Sequence, residues 1–292
     1  MRRRRSFAGS VLVAAAMCGA VARPASAQAT GTPVPGGAVL LQLRPKAGDM
    51  LRLRLDQTIE TGGGSRSDDD STTSEVTSLV MLARISVESA DVEGATVLAL
   101  TDSVRISSDN NYPSAILTSA RALEGQRFRF RVAPDGATTV IGGDAWAAPA
   151  VGSLLSQLPA TLPRDPVAPG ASWNRAVEIP LAAAPDGRAT ATLTAAFRFD
   201  SLSRTGEFAY LSMKGRLVRS GPMPRNGVEG KQANGFAQTS GSVSGSILID
   251  RRRGWITDAH TVIALRSLVS GTAKDAAPIR VRMKITQWMR VM

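Results

Sequence analysis

Cysteine is nearly absent from this sequence. Cys18 is the only one, and it lies in the N-terminal leader. Beyond the leader, disulfides, zinc-thiolate sites and thiol nucleophiles are excluded together. Histidine is equally scarce. His260 stands alone, so a site with several histidine ligands cannot form, and a Ser-His-Asp triad would have to use this one imidazole. Asp258 sits on the same face of the same extended segment, an unusual way to orient an imidazole, and no G-x-S-x-G elbow precedes it. Aromatic residues make up only 4 %, which offers few stacking platforms for bases or sugars, and no nucleic-acid-binding motif is present. No apolar run approaches the roughly 20 residues of a transmembrane helix. These gaps point to a protein that is not an enzyme, with no cofactor, no metal, no nucleic-acid partner and no transmembrane helix.

What is present at the N-terminus has the three-part layout of a secretory signal over residues 1–27. Arg2 to Arg5 form a basic region, Phe7 to Val21 a short apolar stretch, and Ala25-Ser26-Ala27 an A-x-A cleavage site. Met17 precedes Cys18 where a lipobox would place a small residue, so no acyl anchor is expected. The expected location is the periplasm or cell envelope. The formal charge of +11 overstates the basicity of the exported chain. The leader holds five arginines and no acid, and without them 30 Lys+Arg remain of 35, against 24 Asp+Glu. That balance suits contact with an anionic surface.

Period-2 alternation dominates the remainder. Leu51, Leu53 and Leu55 share one face against Arg52 and Arg54. Leu79, Met81, Ala83, Ile85 and Val87 share another, as do Ala191, Leu193, Ala195, Phe197 and Phe199. Ile279, Val281, Met283 and Ile285 alternate with Arg280, Arg282 and Lys284. This is the signature of antiparallel sheet with one wet face. Turn residues punctuate it at Glu93-Gly94, Pro134-Asp135-Gly136, Thr205-Gly206 and Arg251 to Gly254.

Two segments break the pattern. Val151, Leu154, Leu155 and Leu158 have the spacing of one helix face, which predicts a helix over 147–158, and a shorter one is expected over 114–123. Gly62 to Glu75 reads as a long hairpin loop. Its Asp68-Asp69-Asp70 run lacks the spacing of a calcium loop and reads as solvated acid. The expected fold class is mainly β: long antiparallel strands in a curved sheet or open barrel, with one or two short helices.

The chain divides into a linker over 28–37 and one β-rich domain over 38–292. A helix and Pro-rich connector over 146–170 joins segments 38–145 and 163–292, which read either as two related halves or as long β-hairpins that simply look alike. Ala47 to Leu51 resembles Pro169 to Trp173, and Val87-Glu88-Ser89 resembles Phe199-Asp200-Ser201. The inward phase, however, does not match between 97–101 and 209–213.

The segment Leu162-Pro163-Arg164-Asp165-Pro166-Val167-Ala168-Pro169-Gly170-Ala171-Ser172-Trp173 resembles the LP-x-x-PV-x-x-G-x-SW signature of an uncharacterised family of secreted bacterial β-rich proteins. Lys46 to Asp49, Gly125 to Gly136 and Gly245 to Asp250 fit its other landmarks in order. The resemblance supplies no catalytic residues. By analogy alone, long strands with a short helix are similar to LolA-type lipoprotein carriers.

Three readings follow. The preferred one is a binding module for a hydrophobic or amphipathic ligand, a lipid or a lipoprotein acyl chain, lined by Leu79, Met81, Ile85, Leu98, Leu100, Leu154, Leu155, Phe197 and Phe199. The second is a structural or assembly factor that contacts an envelope protein. The third, the least favoured, is a hydrolase built on carboxylates. Asp102 is the one acid that interrupts an apolar face, beside Leu98, Leu100, Val104 and Ile106, and is expected to be paired or at a rim. Basic stripes at Arg52 and Arg54, at Arg127, Arg129 and Arg131, and at Arg280, Arg282 and Lys284 are the candidates for anionic-surface contact.

Overall fold

The computed structural model describes residues 37–64, 75–109, 123–143, 157–158, 161–180, 190–222, 236–270 and 279–292. The alternating segments become twelve strands: β1 (Met50–Gly64), β2 (Glu75–Asp91), β3 (Gly94–Ser108), β4 (Arg127–Val132), β5 (Thr138–Gly143), β6 (Gln157–Leu158), β7 (Ser172–Pro180), β8 (Thr190–Leu202), β9 (Phe208–Pro222), β10 (Phe236–Asp250), β11 (Trp255–Ser270) and β12 (Ile279–Val291). They form one antiparallel sheet in the order β6-β5-β4-β3-β2-β1-β12-β11-β10-β9-β8-β7. The first strand pairs with the last, so two arms meet at a central seam where Leu55 faces Met289 and Ile59 faces Ile285. The sheet does not close into a barrel, because β6 and β7 remain its two edges.

The sheet is nevertheless strongly curled. Consecutive amides of one segment reach turns on opposite arms: Leu43 N donates to Pro134 O after β4, and Arg44 N to Gly254 O after β10. Side chains from β2 to β4 (Ile85, Val87, Val97, Val132) join Trp173, Phe197, Phe199, Leu211 and Ile249 of the other arm in one buried cluster. Burying each large apolar side chain is worth roughly 1.5–3 kcal/mol, which drives the curl. Glycine on the concave face permits it. A Cβ on Gly245 would stand 2.4 Å from the His260 carbonyl oxygen.

All the short turns lie at one end of the sheet. Two crossing segments close that end as a floor. Val39 and Val167 exchange backbone hydrogen bonds of 2.9 Å, and Thr161 N and Leu162 N both donate to Asp135 O. Leu41 and Leu162 are completely buried there. Trp173 stacks on Phe197 at 6.0 Å and donates its Nε1 hydrogen to Thr161 O at 2.8 Å. The opposite end is the rim.

The arms carry matching features. Glu88 in β2 and Asp200 in β8 are each the extra residue of a β-bulge. Gly48 N donates to Val87 O as Gly170 N does to Phe199 O, and Val87 N returns a bond to Asp49 O as Phe199 N does to Ala171 O.

Several sequence expectations are corrected. Gly62 to Gly64 and Glu75, expected in a loop, belong to β1 and β2, and the rest of that expected loop lies outside the described residues. The helix expected over 147–158 falls outside the described residues except for Gln157 and Leu158. These two are extended and pair with Thr139 and Thr138. Of the expected 114–123 helix only Leu123 is described, in a turn.

The expected phase of β3 is also wrong. Its pairing passes from Leu82↔Ser103 to Ala83↔Thr101, which makes Asp102 the extra residue of a bulge. An inserted residue reverses the alternation. Val97, Ala99 and Thr101 therefore face inward, while Leu98 and Leu100 lie on the outer face. This removes the mismatch with β9, whose Ala209, Leu211 and Met213 face inward in the same sense.

Candidate functional site

The concave face has two zones. Toward the floor it is a filled core, with Phe199, Leu211, Ile249 and Val97 essentially inaccessible. Toward the rim the same face continues on β1, β2, β3 and β12, but Leu79, Met81, Ile106, Val281 and Met283 are only half buried. None of these five packs against the main cluster. Register places them around the seam. Leu79 lies between Ile106 and Gln57, and Met81 between Val104 and Leu55. Met283 lies between Thr61 and Leu265.

At the centre of this zone two amides face each other across the seam, Gln57 on β1 and Gln287 on β12. Both are buried, with Thr77 and Thr101 the other buried polar residues. The Gln57 Nε2 atom is enclosed without a hydrogen-bond partner among the described residues. An unmet buried donor costs about 1–3 kcal/mol. Glu75 at the rim end of β2 shares the inward phase of Thr77 and Leu79 and accepts from Ser108 Oγ at 3.4 Å. Arg175 of β7 is a second charged side chain on this face. It donates to Leu162 O at 2.8 Å, and burial pushes its pKa down.

The expected lining residues separate accordingly. Leu79, Met81, Ile85, Phe197 and Phe199 face inward. Of these, Ile85, Phe197 and Phe199 belong to the filled core, and Leu79 and Met81 to the open zone. Leu98 and Leu100 are removed from it by the bulge at Asp102, and Leu154 and Leu155 lie outside the described residues. The sequence reading missed Ile106, Met283 and the Gln57–Gln287 pair. The β12 alternation marked Met283 as inward, but only the seam between first and last strands brings it beside β1.

The outer face is hydrated and charged, and the expected basic stripes divide there. Arg54 is held by Asp56 at 2.7 Å, Arg129 by Glu88 at 2.7 Å, Arg131 by Asp91 at 2.5 Å and Lys284 by Glu60 at 2.8 Å. Arg52, Arg127, Arg280 and Arg282 have no ion pair among the described residues. The stripes do not merge into one field: β2 and β3 separate β4 from β1, and along the β1–β12 seam Arg54 lies opposite Arg290, whereas Arg280 to Lys284 lie opposite Gly64 to Glu60. Asp102 is exposed and bound to Arg84 at 2.8 Å.

The hydrogen bonds from Arg54, Arg129 and Arg131 hold Asp56, Glu88 and Asp91 below the ordinary carboxylate range. A carboxylate whose pKa is depressed on folding stabilises the fold above its unfolded value, near 4. The contribution is lost as pH falls from there through the folded value. Asp56→Asn should lower the urea midpoint at pH 7. The gap from the parent protein should close as the pH is taken from about 4 downward, and a gap that persists at pH 2 would contradict the assignment.

His260 lies on the outer face with its ring edge-on to Trp288 at 6.2 Å. The nearby Asp258 carboxylate accepts from Trp288 Nε1 at 2.9 Å, so it does not orient the imidazole as a triad would. Near the floor a cavity of about 550 Å³ is lined by Lys46, Asp49, Phe208, Arg252, Trp255 and Met292, among others. Its charges are largely satisfied within it, Arg252 by Glu207 at 3.1 Å and Arg253 by Asp250 at 3.6 Å. Among the described residues no group of His, Cys, Asp or Glu side chains is placed to hold a metal ion. No helix there is long and apolar enough to cross a membrane. Asp68 to Asp70 lie outside the described residues.

No protein-family model matches the chain, so the resemblance drawn from Leu162 to Trp173 rests on that motif. No curated protein matches it either. Among solved structures, OccK2 of Pseudomonas aeruginosa, crystallised with glucuronate, aligns over 88 % of this chain and 100 % of its own. It does so at 7 % identity and a TM-score of 0.17, a likeness too slight to carry a fold argument.

Proposed function

We propose that this is an exported envelope protein, not an enzyme, that holds an apolar or amphipathic ligand, such as an acyl chain, against the rim half of its concave face. The observation behind this reading is the change in packing along one continuous face. Toward the floor the inward side chains fill their space. Toward the rim Leu79, Met81, Ile106, Val281 and Met283 do not. A contiguous, partly covered apolar surface is the usual mark of a binding site. Methionine suits an acyl chain because its side chain is flexible and polarizable.

Around Leu79, Met81 and Met283 the wall is apolar or amide-lined, with Glu75 at its rim edge, which favours a ligand buried as a neutral segment, since a buried charge needs a partner. The hydrated outer face is compatible with a protein that moves through an aqueous compartment.

Titration of the folded protein with a fluorescent long-chain fatty acid tests this. Saturable binding is expected, and M81Q/M283Q should weaken it about tenfold or more. That loss corresponds to about 1.4 kcal/mol, within what burial of one large apolar side chain supplies. Absence of binding to the parent protein would reject the reading and leave a structural role through protein contacts.

A further inference from the structure

On the outer wall the two arms handle charge differently. On the first arm Arg54, Arg84, Arg129 and Arg131 each have a carboxylate within 2.9 Å, and Arg52, Arg105 and Arg127, without an ion pair among the described residues, stand on three different strands. On the second, the rim half of β9 to β12 carries Lys214, Arg216, Arg266, Arg280 and Arg282 with no ion pair among the described residues. Lys284 joins them, held by Glu60 of β1. The carboxylates on the outer wall of β8 to β12, Asp200 and Asp258, lie lower down. Asp200 is engaged by Arg198 and Ser212, and Asp258 by Trp288.

Register brings these cations together as a cluster of like charge. Arg266 faces Arg282 directly across β11 and β12. Its neighbour on the other side is Ser240, and the neighbour of Arg282 is Gly62, so among the described residues no acid stands directly opposite either arginine. Like charges directly opposite destabilise a sheet. Arg216 and Lys214 of β9 face Ser242 and Ser244 of β10. The strip between the cationic strands is therefore a run of exposed hydroxyls at Ser240, Ser242 and Ser244.

We infer that this face, over β9 to β12 toward the rim, docks a linear polyanion, a flexible chain carrying phosphate, sulfate or carboxylate groups. Guanidinium groups match such oxyanions with two parallel hydrogen bonds, and the serines add neutral donors. From β9 to β12 is three strand spacings, roughly 14 Å, which a chain crossing the strands can span with several charged units. The shape and composition of the face favour a polymer over a bilayer. The wall is convex, and among the described residues the exposed large apolar side chains within β9 to β12, Tyr210 and Trp288, lie below the cluster. A membrane-binding surface would carry apolar anchors within it. This docking is independent of the acyl-chain reading, since it uses the opposite face of the sheet.

The test measures binding of medium-chain inorganic polyphosphate to the full chain at low salt. R266Q/R282Q is compared with R52Q/R127Q, which removes the same charge from unpaired positions outside the cluster. The parent protein should bind, and added salt should abolish binding. R266Q/R282Q should weaken binding at least tenfold and raise the melting temperature by relieving the opposed pair. R52Q/R127Q should change affinity less than twofold. Equal losses in the two variants would show a response to net charge alone and overturn the proposal, as would no binding at low salt. Vesicles of phosphatidylglycerol that bind while polyphosphate does not would also overturn it, in favour of a membrane contact.

Discussion

Phe199→Ala should destabilise the protein by about 3–5 kcal/mol, the usual loss when a fully buried aromatic side chain leaves a cavity. Phe199 has no exposed surface, and its surroundings cannot collapse easily. It lies beside the bulge at Asp200, faces Leu211 across β8 and β9, and is fixed by its own backbone bonds to Ala171 and Gly170. It also belongs to the cluster shared by the two arms. Its loss should therefore unfold the sheet as a unit, with a single urea transition at lower midpoint and unchanged slope. A loss below about 1 kcal/mol, or two separated transitions, would mean that the arms do not share a core.

The second large effect is expected at the floor. Gly254 has φ +63°, and a Cβ there would stand 2.3 Å from the Arg44 carbonyl oxygen. Gly254→Ala thus adds left-handed strain of about 1–2 kcal/mol. It also pushes away the segment that carries Leu41 and Leu43 into the core. Burial of each leucine is worth about 1.5–3 kcal/mol, so partial undocking should exceed the strain itself. Gly125→Ala is the internal control. Its φ is +77° and nothing lies within 4 Å of the added carbon, so it should show the strain alone. In Gly254→Ala, hydrogen exchange should accelerate at the Leu43 and Arg44 amides. Equal losses for the two variants, with those amides still protected, would rule out a floor locked by that contact.

Much of this architecture is legible in the sequence because strands and turns are local. The alternation in Ala191 to Phe199 reports one buried and one wet face without knowledge of any partner. Glu93-Gly94 and Pro134-Asp135-Gly136 mark tight turns through their own backbone preferences. The misreading of Leu98 and Leu100 has a specific cause. A bulge inserts one residue and reverses the phase, and only an acid standing where an apolar residue was expected, Asp102, signals it.

The candidate sites are less legible because they depend on register between distant segments. Arg129 and Glu88 look unrelated in sequence, yet they neutralise each other, whereas Arg282 looks like its neighbour Lys284 but forms no ion pair among the described residues. Gln57 and Gln287 meet only because the first strand pairs with the last. The helix expected over 147–158 lies outside the described residues except for the extended pair Gln157–Leu158.

The central claim is that the rim half of the concave face receives an acyl chain, and its most direct test is photo-crosslinking with a diazirine-bearing palmitate, followed by peptide mapping. The account predicts adducts on inward residues around the seam, within 77–83, 104–106 and 281–287, that an excess of unlabelled palmitate suppresses. Labelling confined to outer-face residues, or labelling that competition does not reduce, would contradict it.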